Sequence, residues 1–213
     1  MLDVKKFVFN PFMENTFVVS DDTGEAVVID CGCLYEKEQK QLIGYLSEKG
    51  LKVKHIINTH LHLDHQFGNA FISHTFSIAP KAHRLDEKLI DNLVQQSMLF
   101  GIPQEVESQP IGGYIEDGDE VLFGNSKLCA IHIPGHSQGS LCFYSEESKI
   151  VFVGDVLFAG SIGRTDLPGG NFEQLISGIK EKLFPLPDST VVYSGHGPET
   201  SIGREKQYNP FFQ

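Results

Sequence analysis

The stretch His60-Leu61-His62-Leu63-Asp64-His65 places four metal-capable side chains within six residues, directly after the short apolar run Val53 to Ile57. That run reads as a strand. Residues two apart on a strand point to the same side, roughly 6 to 7 Å from one another. His60 and His62 can therefore close on one ion from a strand end, while Asp64 and His65, past the bend, aim elsewhere. Three later segments share this character: Pro134-Gly135-His136-Ser137, Val153-Gly154-Asp155 and Ser194-Gly195-His196-Gly197-Pro198. Each presents one His or Asp immediately after a glycine, which lets a strand end turn sharply and bring its backbone close to an ion.

Together these segments supply five histidines and two aspartates. That is more than one tetrahedral zinc can use, and it suits two divalent ions sharing a carboxylate, with Asp155 as the natural bridge. Imidazole and carboxylate donors without thiolate suit zinc, iron or manganese. Zinc is the expected ion. His55, His74, His83 and His132 lack such a setting and read as structural residues.

The flanking sequence frames these donors in alternating β-rich and helical segments. Val4 to Phe9, Thr16 to Ser20 and Ala26 to Ile29 read as an antiparallel meander, with turns at Asn10-Pro11 and Asp21-Asp22-Thr23-Gly24. Tyr35 to Lys49 carries Leu42, Ile43 and Leu46 at helical spacing, with Gly50 closing the helix. A second long helix is expected over Asp86 to Phe100, with Asp86 and Glu87 in its first turn, Ile90, Leu93 and Val94 as core positions, and Gly101 and Pro103 ending it. Strands follow at Ile111 to Ile115, Glu120 to Phe123, Lys127 to Ile133, Leu141 to Tyr144 and Ile150 to Val153. Asn171 caps a helix reaching about Leu183, with Gln174 placed as in a capping box, and Thr190 to Tyr193 forms a last strand. Two β-rich halves, each carrying helices, predict a pair of packed sheets covered outside by helices.

The whole chain has 213 residues, 40% of them hydrophobic, enough for a sizeable core in one domain. A net charge of -11 repels phosphate backbones, so nucleic acid is not the expected partner. No apolar run approaches a signal sequence or a membrane span, which predicts a cytoplasmic protein. The four cysteines read as reduced thiols, with Cys31-Gly32-Cys33 spaced too tightly for an ordinary bridge between elements. The oligomeric state is not legible.

From about Asn15 onward, the order H-x-H-x-D-H, P-G-H-S, G-D and G-H-G-P resembles the metallo-β-lactamase fold superfamily. The resemblance implies an α+β fold: an αββα four-layer sandwich in which two mixed β-sheets pack face to face with helices outside, forming a single domain over residues 1–213. Carried over residue by residue, it assigns His60, His62 and His136 to a first metal, Asp64, His65 and His196 to a second, and Asp155 to both. Within the superfamily, Phe158-Ala159-Gly160-Ser161-Ile162-Gly163-Arg164-Thr165-Asp166 and Gly195-His196-Gly197-Pro198-Glu199-Thr200 resemble the glyoxalase II group, the hydroxyacylglutathione hydrolases. Members typical of that group continue into a C-terminal helical domain, whereas this sequence runs 17 residues past His196, as expected of a short single-domain branch.

The implied chemistry is hydrolysis of a small-molecule acyl thioester such as S-lactoylglutathione, with Asp64 orienting the nucleophile or accepting its proton. Gly163-Arg164 aligns with the group's glycine and basic residue that contacts glutathione, which makes Arg164 a candidate substrate residue; an ion pair with Asp166 is the competing use of its guanidinium. Asp30, at the end of the strand Ala26 to Ile29, resembles the superfamily's first-strand Asp and is expected to support a ligating histidine. Cys31 beside it reads as a small buried residue at least as well as it reads as a reactive thiol, since no basic neighbour in sequence would activate it. Two alternatives stay open: a persulfide dioxygenase with one iron, which shares the Gly-Arg-Thr-Asp segment, and a lactonase of the same fold.

Overall fold

The computed structural model describes residues 2–102 and 105–213. β1 (Asp3–Phe9), β2 (Glu14–Ser20) and β3 (Glu25–Ile29) form the expected antiparallel meander. α1 (Glu36–Glu48) then crosses back to β4 (Lys52–Ile57), which pairs parallel with β3. The Glu38 carboxylate fixes the start of α1 by accepting from the Leu34 and Tyr35 amides at 2.8 and 3.0 Å. Gly50, at φ +63°, lets the chain leave the helix, as its place after the last apolar position predicted.

After β4 come α2 (Leu63–Gln66), α3 (Asn69–Phe76), β5 (Lys81–Ala82), α4 (Lys88–Asp91), α5 (Leu93–Leu99) and β6 (Gly113–Tyr114). The second half holds β7 (Glu120–Phe123), β8 (Ser126–His132), β9 (Leu141–Ser145), β10 (Ile150–Gly154), the hairpin β11 (Leu157–Phe158) and β12 (Ser161–Ile162), α6 (Phe172–Gly178), β13 (Val191–Ser194), β14 (Thr200–Ser201) and α7 (Ile202–Tyr208). One mixed sheet runs β1-β2-β3-β4-β5-β6 and the other β14-β13-β10-β9-β8-β7.

Burial divides these elements into layers. Phe17, Val19 and Ile29 of the first sheet meet Phe123, Leu128, Phe143 and Phe152 of the second in one apolar cluster between the sheets. On the outer face of the first sheet, Val18, Val28 and Ile56 pack against Leu42 and Leu46 of α1 and Ile72 of α3. On the outer face of the second, Val151, Val153 and Val192 pack against Leu175 of α6 and Ile202 of α7. This is the αββα sandwich, with both sheets covered on both faces, and it explains why β2 is buried along its whole length. No helix among the described residues is long and apolar enough to cross a membrane.

Several elements differ from expectation. The helix expected over Asp86 to Phe100 is broken into a 3-10 turn at Arg84–Asp86, α4 and α5, with Asn92 between the two α-helices. Asp86 is turned inward and buried, Ile90 and Leu93 are core, and Val94 is exposed. Pro103 lies outside the described residues. α2, α3 and β5 occupy a stretch with no strong periodic pattern. The helix capped by Asn171 widens into a π-helical turn at Ile179–Leu183, and Asn171 Oδ1 accepts from the Gln174 amide at 3.0 Å. Val191–Ser194 is followed by the short strand β14 and by α7, so it is not the last strand.

Phe152 is fully buried, with its ring centroid 5.2 Å from both Phe17 and Tyr193. Phe152→Ala should lower the unfolding free energy by about 3 to 5 kcal/mol in urea denaturation. A loss below about 1 kcal/mol would contradict this packing.

Candidate metal centre

All seven candidate donors leave their strands at the same edge of the sandwich. β4 leads to His60, His62, Asp64 and His65; β8 leads to His136; β10 ends in Gly154-Asp155; and β13 ends in Ser194-Gly195-His196. His60 and His62 lie in the loop beyond β4, which stops at Ile57, while Asp64 and His65 sit on α2. The separation of the two pairs by a bend is therefore a strand-to-helix change.

The donor atoms gather in two groups. His60, His62 and His136 form one, and Asp64, His65 and His196 the other, with the atoms of each group within 4.8 Å of one another. In the first, His136 Nε2 lies 2.8 Å from His62 Nδ1 and 3.2 Å from His60 Nε2. In the second, His196 Nε2 lies 3.1 Å from Asp64 Oδ2. The Asp155 carboxylate stands between them: Oδ2 is 3.7 Å from His136 Nε2 and 3.6 Å from His196 Nε2, and Oδ1 is 3.5 Å from His65 Nε2.

Four of the five imidazoles are oriented through Nδ1. His65 Nδ1 donates to Asp30 Oδ2 at 3.1 Å, His136 Nδ1 to the Arg164 carbonyl at 2.9 Å, and His196 Nδ1 to the Phe12 carbonyl at 3.1 Å. The Thr59 hydroxyl gives its proton to Asp30 Oδ2 at 2.6 Å, which leaves its oxygen to accept from His60 Nδ1 at 3.0 Å. Each bond fixes a tautomer and turns Nε2 into the site. Asp30 takes the left-handed conformation, φ +52°, and also accepts the Thr59 amide at 2.7 Å. A carboxylate at that strand end thus organises two ligand candidates at once.

The electrostatics follow from this crowding. Burial keeps His60 neutral, far below the usual imidazole range, with His65 and His136 adding to the effect. Burial and His136 push His62 down to about 4. Burial opposes a charge on His65, yet Asp64 and Asp155 outweigh it and raise its proton affinity well above normal. For Asp155, burial is likewise overcome by His65 and His196, which hold the carboxyl far below its usual range.

The Metallo-beta-lactamase superfamily profile matches residues 9–196. The chain belongs to the metallo-beta-lactamase superfamily. It is 36% identical over 201 residues to Hydroxyacylglutathione hydrolase GloC of Haemophilus influenzae, covering 94% of this chain and 93% of that one. To Probable metallo-hydrolase YqgX of Bacillus subtilis it is 38% identical over 210 residues, covering 97% and 96%. Among solved structures it is similar to BLEG-1 B3 metallo-beta-lactamase, with TM-score 0.90, 35% identity and full coverage of both chains. TTHA1623 in a di-iron-bound form gives TM-score 0.86 at 34% identity, covering 98% and 100%, and ETHE1 from Myxococcus xanthus gives 0.77 at 25%, covering 98% and 83%. The chain is a metallo-hydrolase of that superfamily.

Membership in this superfamily implies divalent metal, and the residues present fit one. His65 Nε2 and Asp155 Oδ1 are buried without a hydrogen-bond partner, an arrangement that is costly unless a cation takes up both. Asp30, grouped with His60 and His65 by distance, faces their Nδ1 side and is used up in orienting them. The glycine before His196 is required by space as well: a Cβ at Gly195 would run into Asp155 and His65.

Arg164 borders the cavity, but its guanidinium makes a two-bonded pair with Asp166, at 2.8 and 2.7 Å. Cys31 and Cys33 are buried with their Sγ atoms 3.6 Å apart; the contact with Cys33 and burial push the Cys31 thiol well up, which argues against a reactive thiolate. His55 bonds the Leu122 carbonyl and His83 stacks on His132, all away from the donors.

Asp86, read from sequence as a helix-start residue, is a buried tie between the ligand loops. Its Oδ2 accepts from the Leu61 amide at 3.3 Å and the Ser137 hydroxyl at 2.7 Å, and its Oδ1 from the Gly139 amide at 2.6 Å. Asn10 acts similarly, donating to the Gly32 and Asp64 carbonyls at 3.0 Å each. Glu14 is fully buried beside Thr16, and burial raises its pKa well above the usual range. Isolated polar residues of this kind carry no local pattern; only their distant partners identify them.

Asp86→Ala should cost about 2 to 3 kcal/mol in urea denaturation, because three buried donors lose their acceptor. It should also weaken metal retention against a competing chelator by about 10- to 100-fold. An unchanged chelator midpoint would contradict a role in holding the two loops together.

Proposed function

We propose that the chain is a thioester hydrolase of glyoxalase II type, acting on S-lactoylglutathione or a related acyl thioester, with residues 1–213 as one catalytic unit. His60, His62 and His136 would hold one divalent ion, Asp64, His65 and His196 would hold a second, and Asp155 would serve both; zinc is the expected metal, with iron or manganese as alternatives. The observation that carries this reading is the Asp155 carboxylate lying between two complete donor groups, with its Oδ1 and His65 Nε2 both lacking a partner. The similarity to GloC along nearly the whole chain supports the thioester.

When bound, such ions supply Lewis acidity and make water a nucleophile at neutral pH. The chain's own residues do the rest. Asp64 borders the cavity, so its carboxylate can take the proton of the water attacking the carbonyl carbon. As the C–S bond breaks, the leaving thiolate recovers that proton, and acid and thiol are released. Asp30 and the Thr59 hydroxyl hold His65 and His60 in the tautomers this arrangement needs.

A second reading, a persulfide dioxygenase with one iron, draws support from the Gly163-Arg164-Thr165-Asp166 segment and the similarity to ETHE1. Metal analysis of purified protein, with S-lactoylglutathione, a lactone, nitrocefin and glutathione persulfide as substrates, separates the readings. Two equivalents of metal and thioester turnover are expected, with His136→Ala lowering kcat/KM by about a hundredfold or more. One iron with oxygen uptake on the persulfide, or thioester turnover that survives in His136→Ala, would overturn the proposal.

A further inference from the structure

The cavity above the donor groups has a volume of 390 Å3. Its floor is His62, Asp64, His136, Asp155 and His196, and its walls are largely apolar: Phe12, Leu63, Leu89, Phe100, Leu167 and Pro168. Phe12 and Phe100 meet edge to face, with centroids 5.6 Å apart, and Phe100 is 60% exposed, so this aromatic lip presents uncovered surface to whatever enters. Asn92 and Gln96 border the same cavity, four residues apart like Gln96 and Phe100, and offer neutral amide groups.

Charge recognition is weak here. Arg164 is the only Lys or Arg among the described residues lining the cavity, and the Asp166 carboxylate already engages its Nε and Nη2 and offsets its charge. A substrate carboxylate would have to share the guanidinium with that anion, at its Nη1 end. Away from the metal-binding floor, the net side-chain charge of -11 disfavours the approach of an anionic thiol arm.

We propose that the preferred substrate is an uncharged acyl thioester, with an apolar acyl chain against the Phe12–Phe100 lip and an amide-bearing neutral thiol arm beside Asn92 and Gln96. This deepens the thioesterase reading and rests on it for the identity of the bond that is cleaved. The preference for a neutral apolar ligand has its own readout in binding.

The test compares hexanoyl- and acetyl-N-acetylcysteamine thioesters with S-lactoylglutathione, using the metal-loaded enzyme. Hexanoyl should exceed acetyl in kcat/KM by about tenfold or more, and should also exceed S-lactoylglutathione. Phe100→Ala should shrink the hexanoyl-to-acetyl ratio by about tenfold, through KM. Asp166→Asn, which removes the anion paired with Arg164, should raise kcat/KM for S-lactoylglutathione by about threefold. Faster turnover of S-lactoylglutathione than of the hexanoyl thioester, with the ratio unmoved in Phe100→Ala, would overturn this inference and leave the thioesterase reading standing.

If no thioester is cleaved, the thioesterase reading fails, and calorimetry with the uncleavable thioethers S-hexyl- and S-methyl-N-acetylcysteamine decides the rest. Binding of the hexyl compound about tenfold tighter, lost in Phe100→Ala, supports the apolar pocket. Equal binding of the two overturns it.

Discussion

The Asp30 carboxylate, almost completely buried where β3 ends, accepts the Thr59 amide, the Thr59 hydroxyl and His65 Nδ1. These bonds cross from the end of β3 to the loop that follows β4, its parallel neighbour, and to α2 beyond it, so the ends of two strands are fixed together. The left-handed backbone of Asp30 carries a cost that the surrounding bonds offset. The second sheet repeats the arrangement, since β10 and β13 are also parallel and end in Asp155 and His196. Each sheet thus contributes a parallel pair whose carboxyl ends open at one edge, the usual place for a ligand site in sheets of this kind. The antiparallel strands of both sheets build the core that holds these edges in register.

Charge is the second constraint. Five imidazoles and two carboxylates meet in a space with little solvent, and their proton affinities move in opposite directions according to their neighbours. Hydrogen bonds satisfy the Nδ1 side of four histidines and leave the inward nitrogens facing one another. Neutral imidazole and ionised carboxylate are the forms that bind metal, and a divalent ion can take the place of the proton that His65 otherwise holds.

Much of this was legible because the donors declare themselves locally. His60, His62, Asp64 and His65 follow an apolar strand, and His136, Asp155 and His196 each follow a glycine, so the structure brings together residues already singled out. The meander, α1 and the strands of the second sheet were readable from alternation and turn residues. The Asp86 to Phe100 segment was not, because the three bonds to Asp86 turn it inward and outweigh the propensity for one continuous helix. Asn10, Glu14 and Thr59 were invisible for a related reason: their roles depend on partners in other loops. Arg164 had two readings, and the structure pairs its guanidinium with Asp166 while its carbonyl orients His136.

Anomalous diffraction from crystals of the metal-loaded protein tests the central claim most directly. Two metal peaks are expected, one about 2.0 to 2.2 Å from nitrogens of His60, His62 and His136, the other at that distance from Asp64, His65 and His196, with Asp155 reaching both. A lone peak, or one ligated by Asp30 on the Nδ1 side of His60 and His65, would contradict it.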